Sequence, residues 1–239
     1  VFPTVIGLVL SLAPAHAFFD DFEGDRLEDY WDFWTEQNGF MDYHVHDSLL
    51  HVTGMGPYEN YGNSVFIDAP VGGLYDFDLV ARVGWEAGEY QSLSVGIANS
   101  IDYPGHYDIA QISYYKRPGL DPLIVAQAYG SGYNSIDAPL SGFHEFRLVR
   151  TGTTLSAYFD GMHFLTTRAL DWRAYWVLLG FQGPADSQFA DLYVDSISAT
   201  EIPEPTALCL VGLVVLVFPR HKRLQSTIPD GGLEEIERR

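Results

Sequence analysis

Four groups of residues in this chain have types and spacings that could do chemistry. Glu86 and Glu89 lie close together in Trp85-Glu86-Ala87-Gly88-Glu89. Two carboxylates in one groove can divide acid and nucleophile roles. A spacing of three sends them to opposite faces of a regular strand, and solvation of a turn accounts for them equally well. His44 and His46 share a face if they lie on a strand, and His51 follows. They form either one edge of a transition-metal site or solvated residues ahead of an Asp47-Ser48 turn. Two stretches that read as loops are rich in Tyr, Gly and Asn: one holds Tyr58, Asn60, Tyr61 and Asn63, the other Tyr129, Tyr133 and Asn134. Aromatic faces stack on sugars while amides bond hydroxyls, so these are the candidate ligand residues. The competing reading is turn formation with Tyr packed at sheet edges. No Gly-x-Ser-x-Gly elbow is present.

The elements that must position these residues read as strands. Phe77, Leu79, Ala81, Val83 and Trp85 alternate with Asp78, Arg82 and Gly84, the period-two pattern of a half-buried strand. Leu93, Val95 and Ile97 alternate with Ser92, Ser94 and Gly96. Ala110, Ile112 and Tyr114, then Phe146 and Leu148, repeat the pattern. Leu155, Ala157 and Phe159 lead into Asp160-Gly161, which predicts a type I′ hairpin over 154–166. Tyr175 to Phe181 is continuously apolar and predicts a strand buried on both faces. Leu192 to Ala199 is the last strand. No helical stripe with caps interrupts the series, so the fold class is an all-β, two-sheet antiparallel sandwich.

Composition narrows the partners. The chain has 239 residues, with 13 Lys+Arg against 32 Asp+Glu and a net charge of −19. The acidic excess is concentrated in residues 18–202, which argues against nucleic acid as a partner. The only cysteine, Cys209, lies outside that segment, leaving it without a disulfide or thiolate metal site.

Three motifs in order resemble the concanavalin A-like lectin/glucanase superfamily, including its LamG-like members. They are Phe19-Asp20-Asp21-Phe22-Glu23-Gly24 with Tyr30-Trp31 downstream, the hairpin His144 to Gly161, and the closing segment Leu192-Tyr193-Val194-Asp195-Ser196-Ile197. The resemblance implies a jelly roll whose first and last strands are adjacent and whose concave sheet carries any glycan site. It also implies that the closing-strand Asp helps hold a structural Ca²⁺ beside the N-terminal segment. That position is Asp195, with Glu23 or Asp21 as partners, and oxygen ligands suit the ion. The glucanases of the superfamily use a Glu-x-Asp-x-Glu strand, which this chain lacks. The expectation is therefore no enzyme and no catalytic residue.

The ends of the chain read as addresses. Pro203-Glu204-Pro205, an apolar run from Thr206 to Phe218 and the basic residues Arg220, Lys222 and Arg223 resemble the PEP-CTERM sorting signal. In that family an exosortase is the processing partner. As a helix the apolar run is about 20 Å long, short of a hydrocarbon core of about 30 Å, so it predicts transient membrane anchoring. Val1 to Leu12, Pro14 and Ala15-His16-Ala17 read as a signal peptide with its cleavage site. The expected organisation is signal peptide 1–17, sandwich domain 18–202, sorting signal 203–223 and polar tail 224–239. The leading functional expectation is an exported, non-catalytic surface or matrix protein with a lectin-like domain for polysaccharide. The alternatives are a glycan-active enzyme of the glucanase-like fold and a purely structural surface protein.

Overall fold

The computed structural model describes residues 17–35, 41–55, 63–86, 88, 90–100, 109–128, 130–168, 171–183 and 191–203. Fifteen strands follow in chain order: β1 (Ala17–Asp20), β2 (Asp32–Thr35), β3 (Met41–His46), β4 (Leu49–Met55), β5 (Asn63–Leu74), β6 (Phe77–Trp85), β7 (Gln91–Ala98), β8 (Ile109–Lys116), β9 (Leu123–Ala128), β10 (Gly132–Asp137), β11 (Gly142–Thr151), β12 (Thr154–Phe159), β13 (Met162–Arg168), β14 (Ala174–Gly183) and β15 (Leu192–Glu201). No helix occurs among the described residues. The compact unit bearing the strands ends at Pro203. The helix expected over 206–218, with Glu204, Pro205, Arg220, Lys222 and Arg223, falls outside the described residues, as does most of the signal segment.

The strands form two antiparallel sheets. The first has eight strands, in the order β13-β12-β11-β6-β15-β4-β3, with β1 also on β15. The second has seven, in the order β10-β9-β8-β7-β14-β5-β2. This is the expected jelly-roll sandwich. The alternating apolar residues of both sheets meet between them: Leu79, Ala81, Val83 and Phe146 from the first, Ile67, Val95, Ile112 and Leu179 from the second. Trp85 bridges the layers, stacked 4.1 Å from Tyr114 and donating its indole N–H to the Pro139 carbonyl at 3.1 Å. Strand β14 sits in mid-sheet between β7 and β5, but the expected burial on both faces is not met: Val177, Leu179 and Phe181 join the core, while Tyr175 is exposed and Trp176 half-buried.

Turn chemistry fixes the register. Asp160 and Gly161 both have positive φ, at 48° and 74°, as a type I′ turn requires. The Asp160 carboxylate then accepts from the Glu145 amide at 2.8 Å and contacts His144 Nδ1 at 2.7 Å, tying the hairpin tip back to β11. Asp47 and Ser48 make the β3–β4 turn with φ of 52° and 58°.

The first and last strands pair, from Ala17↔Thr200 to Asp20↔Ile197. Asp20 organises the N-terminal segment. Its buried carboxylate accepts from the Phe22 amide at 2.7 Å, the Tyr30 hydroxyl at 2.8 Å and the Trp31 indole at 2.6 Å. The Asp-Asp-Phe and Tyr-Trp residues of the opening motif are thus one hydrogen-bonded knot. Burial, and then the Asp20 carboxylate, push the Tyr30 phenol well above its usual pKa.

Candidate functional site

The outward face of the seven-stranded sheet carries polar and aromatic groups that a ligand could use together. Its core-facing positions are Leu93, Val95 and Ile97 on β7 and Ile112 and Tyr114 on β8, so the alternate residues point outward. Three register rows cross this face. One runs Val125, Ser113, Ser94, Gly180, Phe66. The next runs Tyr133, Gln127, Gln111, Gly96, Leu178, Asp68, Asp32. The third runs Leu123, Tyr115, Ser92, Gln182.

The middle of this face is built from small residues. A Cβ on Gly180 would meet the Phe66 ring at 2.9 Å, so that ring lies over the glycine. A Cβ on Gly96 would meet the Ala110 carbonyl at 2.9 Å. The Ser94 and Ser113 hydroxyls share a hydrogen bond of 2.7 Å. Leu178 is buried yet stands outside the core cluster, so side chains of the outward face cover it. Around it stand the half-buried Phe66, Trp176, Gln111, Gln127 and Tyr115. Arg117 donates to the Tyr115 hydroxyl and lies 4.9 Å over its ring, bringing one positive charge to an acidic domain. A face of Ser and Gln with aromatic neighbours can bond hydroxyls and stack on the apolar faces of sugar rings.

The same face brings two carboxylates together. Asp32 on β2 is directly opposite Asp68 on β5, with Asp32 exposed and Asp68 fully buried. Cross-strand partners have Cβ atoms about 4.5–5.5 Å apart. Among the described residues no single strand carries two carboxylates on one face. Glu86 is an exposed residue just beyond β6 whose amide bonds the Asp191 carbonyl at 3.0 Å, and Glu89 lies outside the described residues.

The proposed ligand residues distribute unevenly. Tyr133 projects from β10, 64% exposed, in the Gln127–Gln111 row. Asn134, its neighbour, donates instead to the Phe164 carbonyl and pins β10 to β13. Asn63 opens β5, while Tyr58, Asn60, Tyr61 and Tyr129 lie outside the described residues. The segment after Gly132 is a strand rather than the expected loop. Phe66, Gln111, Ser113 and Trp176 escaped the sequence reading. The signal was the polar half of each alternation, which is equally well explained by solvent.

Asp195 sits at a bulge in β15, between Val194 and Ser196, and faces Arg82 at 3.4 Å. The direction of the β1–β15 pairing carries residues 21–23 toward that end of β15, with Asp21 half-buried and Glu23 exposed. The histidines form a hydrogen-bonded line: His44 Nε2 lies 3.2 Å from His51 Nδ1, and His51 Nε2 lies 3.1 Å from Asp191. His46 contacts Asp47 at 2.9 Å. Among the described residues no cluster of three or more His, Cys, Asp or Glu side chains converges on a metal-sized site.

No family model matches the chain, and no curated protein does. Solved structures do. A laminarinase from Rhodothermus marinus superposes with a TM-score of 0.58 at 13% identity, over 78% of this chain and 97% of its own. The catalytic domain of an endo-1,3-β-glucanase from Thermotoga petrophila gives 0.56 at 13%, over 77% and 96%. A CBM2 module from the Dit protein of Lactobacillus casei phage J-1 gives 0.55 at 12%, over 80% and 99%. The fold is the concanavalin A-like jelly roll. At these identities the likeness speaks for the fold alone. The expectation of a domain without catalysis is nonetheless corrected. Several neighbours are laminarinases or β-1,3-glucanases, so the architecture is one on which glycan cleavage is carried out. The missing Glu-x-Asp-x-Glu strand excluded only one way of arranging carboxylates on it.

Proposed function

We propose that the domain is a glycan-active protein of the glucanase-like fold that takes a neutral polysaccharide across the outward face of the seven-stranded sheet. The observation that carries this is the joined Ser94 and Ser113 hydroxyls with Gln111, Phe66 and Trp176 beside them on one outward face. Neutral sugars fit better than polyanions, because the chain carries a net charge of −19. Affinity electrophoresis in laminarin, xyloglucan, galactomannan and dextran gels tests the reading. Retardation in at least one gel, weakened in Trp176→Ala and in Gln111→Ala, is expected; equal mobility of all three proteins in every gel overturns it.

Hydrolysis is the second reading, and the facing Asp32 and Asp68 favour it. Cross-strand partners stand side by side, as the two carboxyl groups of a glycosidase must. One buried and one exposed carboxylate is also the asymmetry that divides acid and nucleophile roles. Release of reducing ends from the retained polysaccharide, abolished in Asp32→Asn and Asp68→Asn, is the expected result. Binding without release removes hydrolysis and leaves binding.

The terminal segments supply the location in this proposal: export, then processing by an exosortase at the cell envelope, with 206–218 as a transient anchor. The order of Pro203-Glu204-Pro205, apolar run and basic cluster supports it. In cells, Glu204→Ala is expected to retain the uncleaved protein in the inner membrane. An unchanged mature mass and location refutes the sorting role.

A further inference from the structure

We propose that the outward face of the eight-stranded sheet holds a second carbohydrate site, so that the domain grips neutral polysaccharide on both sides of the sandwich and cross-links chains. The inference builds on the glycan reading above but concerns the opposite sheet, and the two fail separately.

One register row carries rings from β11 to β3: Phe143, Gly84, Tyr193, His51, His44. Gly84 makes room, because a Cβ there would meet the Phe143 ring at 3.0 Å. Phe143 and Tyr193 approach to 5.8 Å, and His51 stacks on Tyr193 at 4.3 Å with 14° between the planes. Such a ladder stabilises a sheet by itself, by about 0.2–1 kcal/mol per cross-strand pair. Sheet stability does not explain what lies beside it. A cavity of about 330 Å³ opens next to Phe143, lined by Val80, Arg82, Glu145, Ser196 and Ser198, with Phe19 at its other side. Phe19 belongs to β1, outside the ladder, and is 61% exposed; Phe143 is 42% exposed. Two large apolar rings facing water across a polar floor leave apolar area that a ligand would cover.

The floor selects the ligand class. Arg82 lies 5.3 Å over the Phe143 ring and offers guanidinium donors. Glu145 is its cross-strand partner, Asp195 is 3.4 Å away, and the two serines can donate or accept. Donors and acceptors are mixed and the acidic groups outnumber the single cation. That combination suits hydroxyls and disfavours a uronate or phosphate. Aromatic walls above hydroxyl-bonding groups match a neutral sugar ring, and the volume is at the lower end of small-ligand sites, about 300–1,000 Å³. A site on each sheet makes the domain bivalent toward a polymer, where linkage raises apparent affinity without new contacts.

The test uses the full chain and the polysaccharide that gives retardation among laminarin, xyloglucan, galactomannan and dextran. Turbidity should peak at an intermediate protein-to-polymer ratio and fall in protein excess, as for a cross-linker. Phe19→Ala/Phe143→Ala, and separately Arg82→Ala, should abolish the turbidity peak and lower apparent affinity by about tenfold or more, while retaining Trp176-dependent retardation. Trp176→Ala should abolish the peak too, leaving retardation that the double Phe variant removes. If the double variant matches the parent in both readouts, this site does not exist and the first reading stands. If no polysaccharide retards the parent, both readings fall. If sedimentation instead gives a dimer that the double variant dissociates, the patch is a self-association surface and the proposal is overturned.

Discussion

Removing the Asp20 carboxylate should destabilise the sandwich far more than an acidic surface residue normally does. The carboxylate is buried and accepts three hydrogen bonds, from the Phe22 amide at 2.7 Å, Tyr30 at 2.8 Å and Trp31 at 2.6 Å. Hydrogen bonds to a charged acceptor contribute about 1.5–3 kcal/mol each, and a donor left buried and unpaired costs about 1–3 kcal/mol. Tyr30 is 39% exposed and recovers water, so its share is discounted. The two inward donors then set the loss in Asp20→Ala at about 3–4 kcal/mol. For a domain of this size, about 2–4 °C of melting temperature accompanies each kcal/mol, so the midpoint should fall by about 6–16 °C. Asp20→Asn keeps one oxygen but turns an amide N–H toward the remaining donors, and should recover less than half. Thermal melts followed by Trp fluorescence report directly, because Trp31 is one of the partners. Asp25→Ala, an exposed carboxylate in the same segment, is the control and should stay within about 0.5 kcal/mol of the parent. Equal melting of Asp20→Ala and Asp25→Ala would refute the knot.

Two further outcomes follow from the geometry, and a third tests the calcium expectation. Tyr30 has its folded pKa raised by burial and by Asp20, so its neutral form is favoured in the fold. That contribution is complete below the unfolded value of about 10 and is lost as pH rises through the folded pKa; Tyr30→Phe should flatten the alkaline limb of a stability–pH curve, and an unchanged limb shows that Tyr30 does not set it. Arg147 bonds Asp78 through two nitrogens at 2.8 and 2.6 Å, but the pair is part-exposed, so Arg147→Met should cost no more than about 1 kcal/mol in urea titration; a loss of 3 kcal/mol or more (roughly that of a buried pair) would contradict this. If Asp195 with Glu23 or Asp21 holds Ca²⁺, a hundredfold excess over the dissociation constant adds about 2.7 kcal/mol, and melting should rise with calcium, fall with chelator and lose both responses in Asp195→Ala; equal melting of the parent with calcium and with chelator removes the site.

The core was legible because burial writes itself into alternation. Every inward residue predicted on β6, β7 and β12 is in the core, and Asp160-Gly161 takes the backbone angles its sequence demands. The short or irregular strands were harder to read. β1 and β2 span Ala17–Asp20 and Asp32–Thr35, too short for a period to emerge, and β5 runs through Pro70 and Gly72-Gly73, residues that sequence reasoning assigns to turns. The sequence predicts a loop at β10, because Gly132 and Asn134 are turn-prone. What holds it is an Asn134 side chain reaching β13 from 30 residues away, a tertiary contact that no local pattern contains.

The site was hidden for a different physical reason. In a sandwich the outward half of each alternation is polar whether it meets water or a ligand, so Ser94, Gln111 and Ser113 look like any solvated exterior. Their meaning lies in register: Ser94 faces Ser113, Gly96 faces Gln111, and Asp32 faces Asp68 across strands far apart in sequence. A motif along one strand does not reveal such a pair, for the same reason. A carboxylate pair on neighbouring strands can stand at the same separation as a pair on alternate residues of one strand, yet it leaves no motif. The Phe143–Tyr193–His51–His44 row on the other sheet is likewise drawn from four separate segments. Both faces therefore have to be judged by what their rows can bond and stack. On that measure the seven-stranded sheet offers the only cross-strand carboxylate pair among the described residues, which is why it, and not the eight-stranded sheet, is the first place to look for glycan cleavage.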